Sequence, residues 1–332
     1  MLALAACSQP SPTPTPYTIT LTLYPTVSNL PQIVETVPPR HDTPVRPSPT
    51  IDIPATPSPN QPGTTATAAP ARVSSPVQLR GETILAAGLV EPDDLLLAPD
   101  GSIYLSDIGN GTILRIDPGG KTEIVLRGLS EPEGMVLLPD GSLVIAEQGT
   151  DQLVKADLTS GEVVPLLKLS NPSGGLGVDG IALDAAVGQP ATLIIPDSPN
   201  GRLLRSSIDG KQVQTIAGGF ARPTGAFVEP DGSILVADEN AGEVIRLHPD
   251  GSRQVLMRLP LADDVIEDTA GNIFAISISE GTIHMIQAGS QQDTVLVRGL
   301  SSPQGICFDP HGDLVVAESG KNRLARLQVR VQ

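Results

Sequence analysis

The feature that most constrains this chain is an internal repeat. The segment "GLVEPDDLLLAPDGSIYLSD" begins at Gly88, and "GLSEPEGMVLLPDGSLVIAE" begins at Gly128, about 40 residues later. The corner recurs as "GFARP" from Gly219 and as "GLSSP" from Gly299. Two degenerate copies complete the series: "GGLGVDGIALD" precedes "GFARP", and "LPLADDVIED" lies between "GFARP" and "GLSSP". The sequence therefore contains six units of about 39–46 residues, the length of a four-stranded propeller blade.

Each unit also carries local signals for β-structure. "PDG" recurs in several units as a turn, because proline presets φ and Asp-Gly supplies the positive φ of a tight hairpin. The runs "SIYLSD", "SLVIAE" and "SILVAD" alternate and are rich in β-branched residues. Helical periodicity is nearly absent, so the sequence predicts an all-β, six-bladed β-propeller over residues 79–332.

The last unit ends one strand early. "NRLARLQVRV" at residues 322–331 resembles a third strand, and no segment follows it that resembles a fourth. At the front of the repeat region, "ETILAAGLVEP" resembles a fourth strand with its corner, as in "EIVLRGLSEP". We therefore expect the N-terminal strand, residues 82–88, to complete the final blade and to close the ring without a free edge.

The repeat pattern "P-x-G-…-DG-x-hhh-D-…-R-h" resembles NHL repeats and, more broadly, the gluconolactonase/SMP-30-like six-bladed propellers. The resemblance spans essentially all of residues 80–332. The chain has no tryptophan, which argues against the WD40 and kelch signatures. The resemblance implies the fold, but these propellers include lactonases, lyases and interaction scaffolds, so it does not select one function.

Residues 8–78 differ sharply from the repeat region. They are rich in Pro, Thr and Ser and poor in large apolar residues, so we expect a disordered tether. The few charges of the tether cancel, which places the net charge of −16 in the repeat region. Such an acidic domain is expected to repel nucleic acid and anionic membrane surfaces, because both require clustered Lys and Arg.

The first seven residues, "MLALAAC", resemble the end of a bacterial lipoprotein signal peptide, in which the cysteine receives lipid. The resemblance implies that Cys7 is the lipidation site and that residues 1–7 are the remnant of a signal peptide. We therefore expect a lipid-anchored, extracytoplasmic protein of the cell envelope, which contacts the membrane through its anchor only.

Candidate metal ligands follow the corner of each unit, where the innermost strand of a blade begins at the mouth of the central channel. Four of the six positions are carboxylates, and the other two are Thr224 and Gln304; the carboxylates are Asp93, Glu133, Asp179 and Asp263. Carboxylates that converge on one axis repel one another unless a cation lies among them, and oxygen ligands favour Ca²⁺ over Mg²⁺. The sequence therefore predicts a calcium site, with acids that simply hydrate the channel mouth as the alternative.

The family resemblance bears on the same positions. Gluconolactonase-like enzymes hold a metal at this mouth with Glu, Asn and Asp, and Asp179 in "VDGIALD" matches the aspartate of the family motif. Thr224 stands where the family often has Asn, and Thr is a poorer ligand. This departure argues against a direct transfer of the family's catalytic assignment to these residues.

A second acidic set ends the second strand of five units. We predict that these carboxylates accept hydrogen bonds from the turn backbone and pair with an arginine in each blade, because they recur with the repeat itself; they are Asp107, Glu147, Asp197, Asp238 and Glu318.

Nucleophilic catalysis has little support in the sequence. His248 and His311 lie in turns, His284 lies on a third strand, and Cys307 is typical of a small buried hydrophobic residue. We therefore interpret the chain as a monomeric, membrane-anchored propeller that binds a small-molecule or protein ligand at its channel face, together with Ca²⁺. The alternative is a metal-dependent lactonase or esterase in which a ring carboxylate acts as base.

Overall fold

The computed structural model describes residues 79–186 and 188–329. Within these residues the chain forms 24 strands in six four-stranded antiparallel sheets, which confirms the predicted six-bladed propeller. Cys7 and the Pro/Thr-rich segment lie outside the described residues. A search of the described part of the chain for a helix with the length and hydropathy of a membrane span finds none.

Each blade runs from an innermost to an outermost strand. Blade 1 contains β2 (Pro92–Leu97), β3 (Ile103–Asp107), β4 (Thr112–Ile116) and β5 (Thr122–Arg127), and blade 2 contains β6 (Pro132–Leu137), β7 (Leu143–Glu147), β8 (Gln152–Ala156) and β9 (Val163–Lys168). Blade 3 contains β10 (Ala182–Asp184), β11 (Thr192–Asp197), β12 (Arg202–Ser207) and β13 (Val213–Gly218), and blade 4 contains β14 (Pro223–Val228), β15 (Ile234–Asp238), β16 (Glu243–Leu247) and β17 (Arg253–Arg258). Blade 5 contains β18 (Ala262–Glu267), β19 (Ile273–Ser277), β20 (Thr282–Ile286) and β21 (Asp293–Arg298). Blade 6 contains β22 (Pro303–Phe308), β23 (Leu314–Glu318), β24 (Arg323–Val329) and, as its outermost strand, β1 (Leu79–Ala87). Short 3₁₀ helices follow the second strand in four blades, at Ile108–Asn110, Gln148–Thr150, Ser198–Asn200 and Ser319–Lys321.

The sixth blade joins the two ends of the propeller. β1 pairs antiparallel with β24 from Leu79 opposite Val329 to Ala87 opposite Arg323. An ion pair between Arg323 and Glu82 adds a charged contact across the same two strands. Because the fourth strand of this blade comes from the start of the repeat region, the hydrogen bonds of β1 and β24 hold the ring closed.

The core lies in the gaps between neighbouring blades. Six apolar clusters of buried side chains occur, one in each gap around the ring. The second strands β3, β7, β15, β19 and β23 are buried at all five of their positions. A strand that packs against a neighbouring blade on both faces needs apolar residues on both, which explains the β-branched runs in the sequence.

The acids that end the second strands fix the corners of the blades. Asp107 Oδ1 accepts a hydrogen bond from the backbone N–H of Val90 at 2.8 Å. Corresponding bonds run to Glu147, Asp238 and Glu318 in three other blades. This confirms the predicted backbone role for these four acids.

The arginine part of that prediction was wrong as a general rule. Asp197 pairs with Arg202 at 2.7 Å, and Glu318 pairs with Arg323. Arg115 of blade 1 pairs instead with Asp100 at 2.9 Å and with Glu123 at 3.2 Å. Arg202 and Arg323 begin their third strands directly opposite the acid, whereas Arg115 is the fourth residue of β4 and lies opposite Tyr104, away from Asp107.

Candidate functional site

One mouth of the central channel, called here the acidic mouth, is formed where the six innermost strands begin. The corner before each innermost strand directs the following side chain to this end of the channel. The six positions around the mouth are Asp93, Glu133, Asp179, Thr224, Asp263 and Gln304.

Three of the predicted ligands form a close group. One carboxylate oxygen from each of Asp93, Glu133 and Asp179 lies within 4.8 Å of the others. The three residues are buried, with exposed fractions of 8%, 4% and 9%. Asp263, the fourth predicted ligand, lies outside this group and is half-buried, although its charge acts on Glu133 and the charge of Asp93 acts on it. The structure thus brings three of the four predicted carboxylates together.

The two neutral oxygens of the ring do not join the group. Thr224 is fully buried, and its Oγ1 donates a hydrogen bond to the backbone carbonyl of Asp263 at 2.8 Å. Gln304 lies near Ser319, with its Nε2 atom 3.4 Å from the hydroxyl oxygen. Thr224 therefore contacts the neighbouring blade, and it is not directed at the three carboxylates.

Two further carboxylates, Asp94 and Asp264, lie in the same region and were missed by the sequence analysis. Each occupies the position directly after a ring residue, where the other four blades have glycine. Asp94 accepts a hydrogen bond from the backbone N–H of Met135 in the next blade at 3.1 Å, and Asp264 does the same for Ile306 at 2.9 Å. The doublets "PDD" and "ADD" were the available signal in the sequence.

These side-chain bridges belong to a set of bonds between neighbouring blades, which we call the inter-blade belt. Gly134 N–H donates to the carbonyl of Asp179 at 3.2 Å, and Gly180 N–H donates to that of Thr224 at 3.1 Å. Together with the side-chain bonds of Thr224, Asp94 and Asp264, these two backbone bonds connect neighbouring blades at five of the six junctions of the ring. The strands approach so closely that a Cβ atom on Gly134 would lie 2.5 Å from the Cα of Gly180, which explains the glycine in "PEG".

Arg222 is the second feature that the sequence analysis missed. It precedes the corner proline of blade 4, and its guanidinium reaches the carboxylate of Asp179 in blade 3 at 2.8 Å and also pairs with Glu239. Its side chain is 11% exposed, so the pair is nearly buried. In the sequence, Arg222 looks like an ordinary corner residue, because its reach to another blade depends on the curvature of the ring.

The acidic mouth holds far more negative than positive charge. Among the described residues, Arg222 is the cation whose charge acts on Asp93 and Asp179. Seven carboxylates lie in this region; they are Asp93, Asp94, Glu133, Asp179, Glu239, Asp263 and Asp264. Burial, followed by the charge of Asp179, raises the pKa of Asp93 to about 7. Burial and then the charge of Asp93 raise the pKa of Glu133 well above its usual range. At neutral pH these groups must therefore share protons or bind a cation.

The residues fit a hard divalent cation. The donor set consists of carboxylate oxygens alone, which suits Ca²⁺, and the excess negative charge favours a cation in this place. Arg222 engages one oxygen of Asp179, Oδ2, so Oδ1 is left for a ligand bond. Asp93, Glu133 and Asp179 would hold the ion.

The other candidate nucleophiles are not placed for chemistry. Cys307 is buried, and burial together with the charges of Asp94 and Asp264 raises the pKa of its thiol far above the usual range. His284 is buried on β20, where its Nδ1 lies 2.9 Å from the carboxylate of Asp293. Both residues are components of blade structure, as the sequence analysis predicted.

Comparison with known proteins supports the fold. The NHL repeat family model matches residues 300–327, in blade 6. Three similar solved structures are a calcium-binding protein, regucalcin, from Agrobacterium tumefaciens, a gluconolactonase from Xanthomonas campestris and an auxiliary nutrient binding protein from Bacteroides thetaiotaomicron.

The sequence identities to these three are 14%, 16% and 12%, with TM-scores of 0.62, 0.61 and 0.60. The matches cover 76%, 77% and 74% of this chain and 94%, 95% and 70% of the respective structures. No curated protein is significantly similar in sequence. The chain therefore has the six-bladed propeller fold of the gluconolactonase/SMP-30-like proteins that its sequence resembles, and it carries an NHL repeat in its sixth blade.

Proposed function

We propose that this propeller binds Ca²⁺ through Asp93, Glu133 and Asp179 and presents the acidic mouth to a small-molecule or protein ligand. The observation that carries the proposal is the group of three buried carboxylates within 4.8 Å, whose compensating charge among the described residues comes from Arg222. The calcium-binding protein regucalcin shares the fold, which supports the choice of ion.

We expect Ca²⁺ to stabilise the full-length protein. At a concentration 100 times its dissociation constant, a ligand adds about 2.7 kcal/mol, which for a domain of this size raises the melting temperature by roughly 5–10 °C. Calorimetric titration and thermal unfolding, with Ca²⁺ or with chelator, measure both quantities. Asp179→Asn removes one formal charge and should weaken binding, whereas Asp107→Asn, at a blade corner, should leave the calcium response unchanged.

The calcium effect should depend on pH. A carboxyl whose pKa is raised on folding binds its proton more tightly in the folded state, so the protein without calcium loses stability as pH rises from about 4 through the folded value. For Asp93 that value is about 7. The stabilisation by Ca²⁺ should therefore be larger at pH 8 than at pH 6. An unchanged melting temperature at both pH values would refute the calcium site.

Lactone hydrolysis is the second candidate function, favoured by the position of Asp263. It is half-buried beside the three-carboxylate group. Burial, followed by the charges of Asp179 and Asp93, raises the pKa of Asp263 well above its usual range. A metal at this mouth would polarise a carbonyl, and Asp263 would act as the base. Hydrolysis of simple lactones that requires Ca²⁺ and is lost in Asp263→Asn would establish the activity, and no hydrolysis would leave ligand binding alone.

The location of the protein is proposed from the sequence alone. Cys7 lies outside the described residues, and the "LAAC" motif with the following Pro/Thr-rich segment supports a lipid anchor outside the cytoplasm. Mass spectrometry of membrane-extracted protein should find Cys7 as a lipid-modified N-terminus. An unmodified Cys7, or recovery wholly in the soluble fraction, would exclude the anchor.

A further inference from the structure

The other end of the channel, called here the second mouth, has a different chemical character. It is formed by the residue four positions after each of the six residues of the acidic mouth, and all six side chains there are half-buried. Five of them are apolar and one is a carboxylate: Leu97, Leu137, Leu183, Val228, Phe308 and Glu267. They line one end of a cavity of about 490 Å³, which extends along the innermost strands to Asp93, Asp179 and Asp263 at the acidic mouth. This volume falls within the range of small-molecule sites.

Glu267 lacks the cation that the other five blades provide at this end. In each of those blades, the third strand carries a basic residue that pairs with an acid near the second mouth: Arg115, Lys155, Arg205, Arg246 and Arg326. Blade 5 has Met285 at the corresponding position, opposite Phe274. Blade 5 is therefore the blade with an acid in the ring of the second mouth and no Lys or Arg on its third strand.

The charged groups around Glu267 do not compensate for this. The charge of Arg246 acts on Glu267, but the Arg246 guanidinium is bound by both carboxylate oxygens of Glu229, at 2.6 and 2.5 Å. Asp231 and Asp268 add further negative charge. Among the described residues, no donor makes a hydrogen bond to the Glu267 carboxylate. Burial and the charge of Glu229 raise the pKa of Glu267 to about 7.

We propose that the second mouth binds a small organic cation, an amine or guanidinium on an apolar body, with Glu267 as its counter-ion. The cationic group supplies the positive charge that a Lys or Arg provides in the other blades, where blade 5 has Met285. The apolar body covers the half-buried side chains of the ring. A divalent metal ion is not suited to this mouth, because Glu229 is engaged by Arg246 and the ring itself offers a single carboxylate, Glu267, which cannot replace the hydration shell of the ion. An anion would be repelled by Glu267 and Glu229.

The test uses three probes of similar size that differ in charge: 2-phenylethylamine, 2-phenylethanol and 3-phenylpropanoate. Calorimetric titration of the full-length protein should give one binding site for the amine, weaker binding of the alcohol and no binding of the carboxylate. Glu267→Gln should weaken amine binding at least tenfold and leave the alcohol unchanged. Glu280→Gln, which removes an exposed carboxylate from the same blade, is the matched control and should have no effect.

Two further measurements separate this site from the acidic mouth. Amine affinity should rise between pH 6 and pH 8 as Glu267 ionises, and Glu267→Gln should remove that dependence. Saturating Ca²⁺ and Asp179→Asn should both leave amine binding unchanged. Absence of amine binding at millimolar concentration, equal affinity for all three probes, or competition between the amine and Ca²⁺ would overturn the proposal, whatever the outcome of the calcium experiments.

Discussion

Deletion of residues 79–87 from the full-length chain is expected to abolish cooperative folding of the propeller. The deletion removes β1, so that β24 loses its antiparallel partner and Arg323 loses its ion pair with Glu82. The unpaired strand would expose a free edge at the end of blade 6, and such edges pair with other chains. We expect aggregation, or a loss of stability that exceeds the effects of about 0.5–3 kcal/mol seen for most single substitutions.

A deletion of equal length supplies the control. Removal of residues 60–68, which lie outside the described residues, should leave the unfolding transition where it is. Urea unfolding followed by circular dichroism, together with size-exclusion chromatography, measures both variants. If the two deletions unfold alike, β1 does not hold the ring closed.

Replacement of Arg222 by methionine is expected to have the second largest effect. The substitution leaves the carboxylates of Asp179 and Glu239 without their counter-ion in a nearly buried place. Removal of one partner of a buried ion pair typically costs about 3–5 kcal/mol. Part of this loss should be restored by Ca²⁺, because the bound ion supplies positive charge to the same group of acids.

The exposed ion pair of Arg258 with Glu243 provides the matched comparison. The Arg258 side chain is 76% exposed, so Arg258→Met should cost at most about 1 kcal/mol. Urea unfolding of both variants, with chelator and with Ca²⁺, gives the four free energies that are needed. A loss for Arg222→Met no larger than for Arg258→Met, or no recovery with Ca²⁺, would contradict the account of the acidic mouth.

The repeat made the fold predictable from sequence. "PDG" turns and alternating strands are local signals, and each acts within about 20 residues of chain. The count of six units then determined the number of blades, and the early end of the last unit pointed to a strand from the start of the repeat region. None of these inferences required knowledge of how two blades lie against each other.

The site was only partly predictable, for a physical reason. Asp93, Glu133 and Asp179 were predicted because each follows the corner of its own repeat. Equivalent positions of successive blades lie around the same channel axis, so the three side chains come close together. The pairing of Arg222 with Asp179 crosses between blades, and so does the bond from Met135 N–H to Asp94. Such contacts depend on the spacing and tilt of neighbouring innermost strands, which no single repeat encodes.

The direction of β1 decides how an anchored molecule would be oriented. β1 is the outermost strand of its blade, and the corner that follows it leads directly to Asp93 at the acidic mouth, so β1 begins near the second mouth. The chain thus enters the propeller at Leu79 from the side of Glu267. A lipid at Cys7 would therefore be attached on the side of the second mouth, and the acidic mouth would lie on the side opposite the attachment.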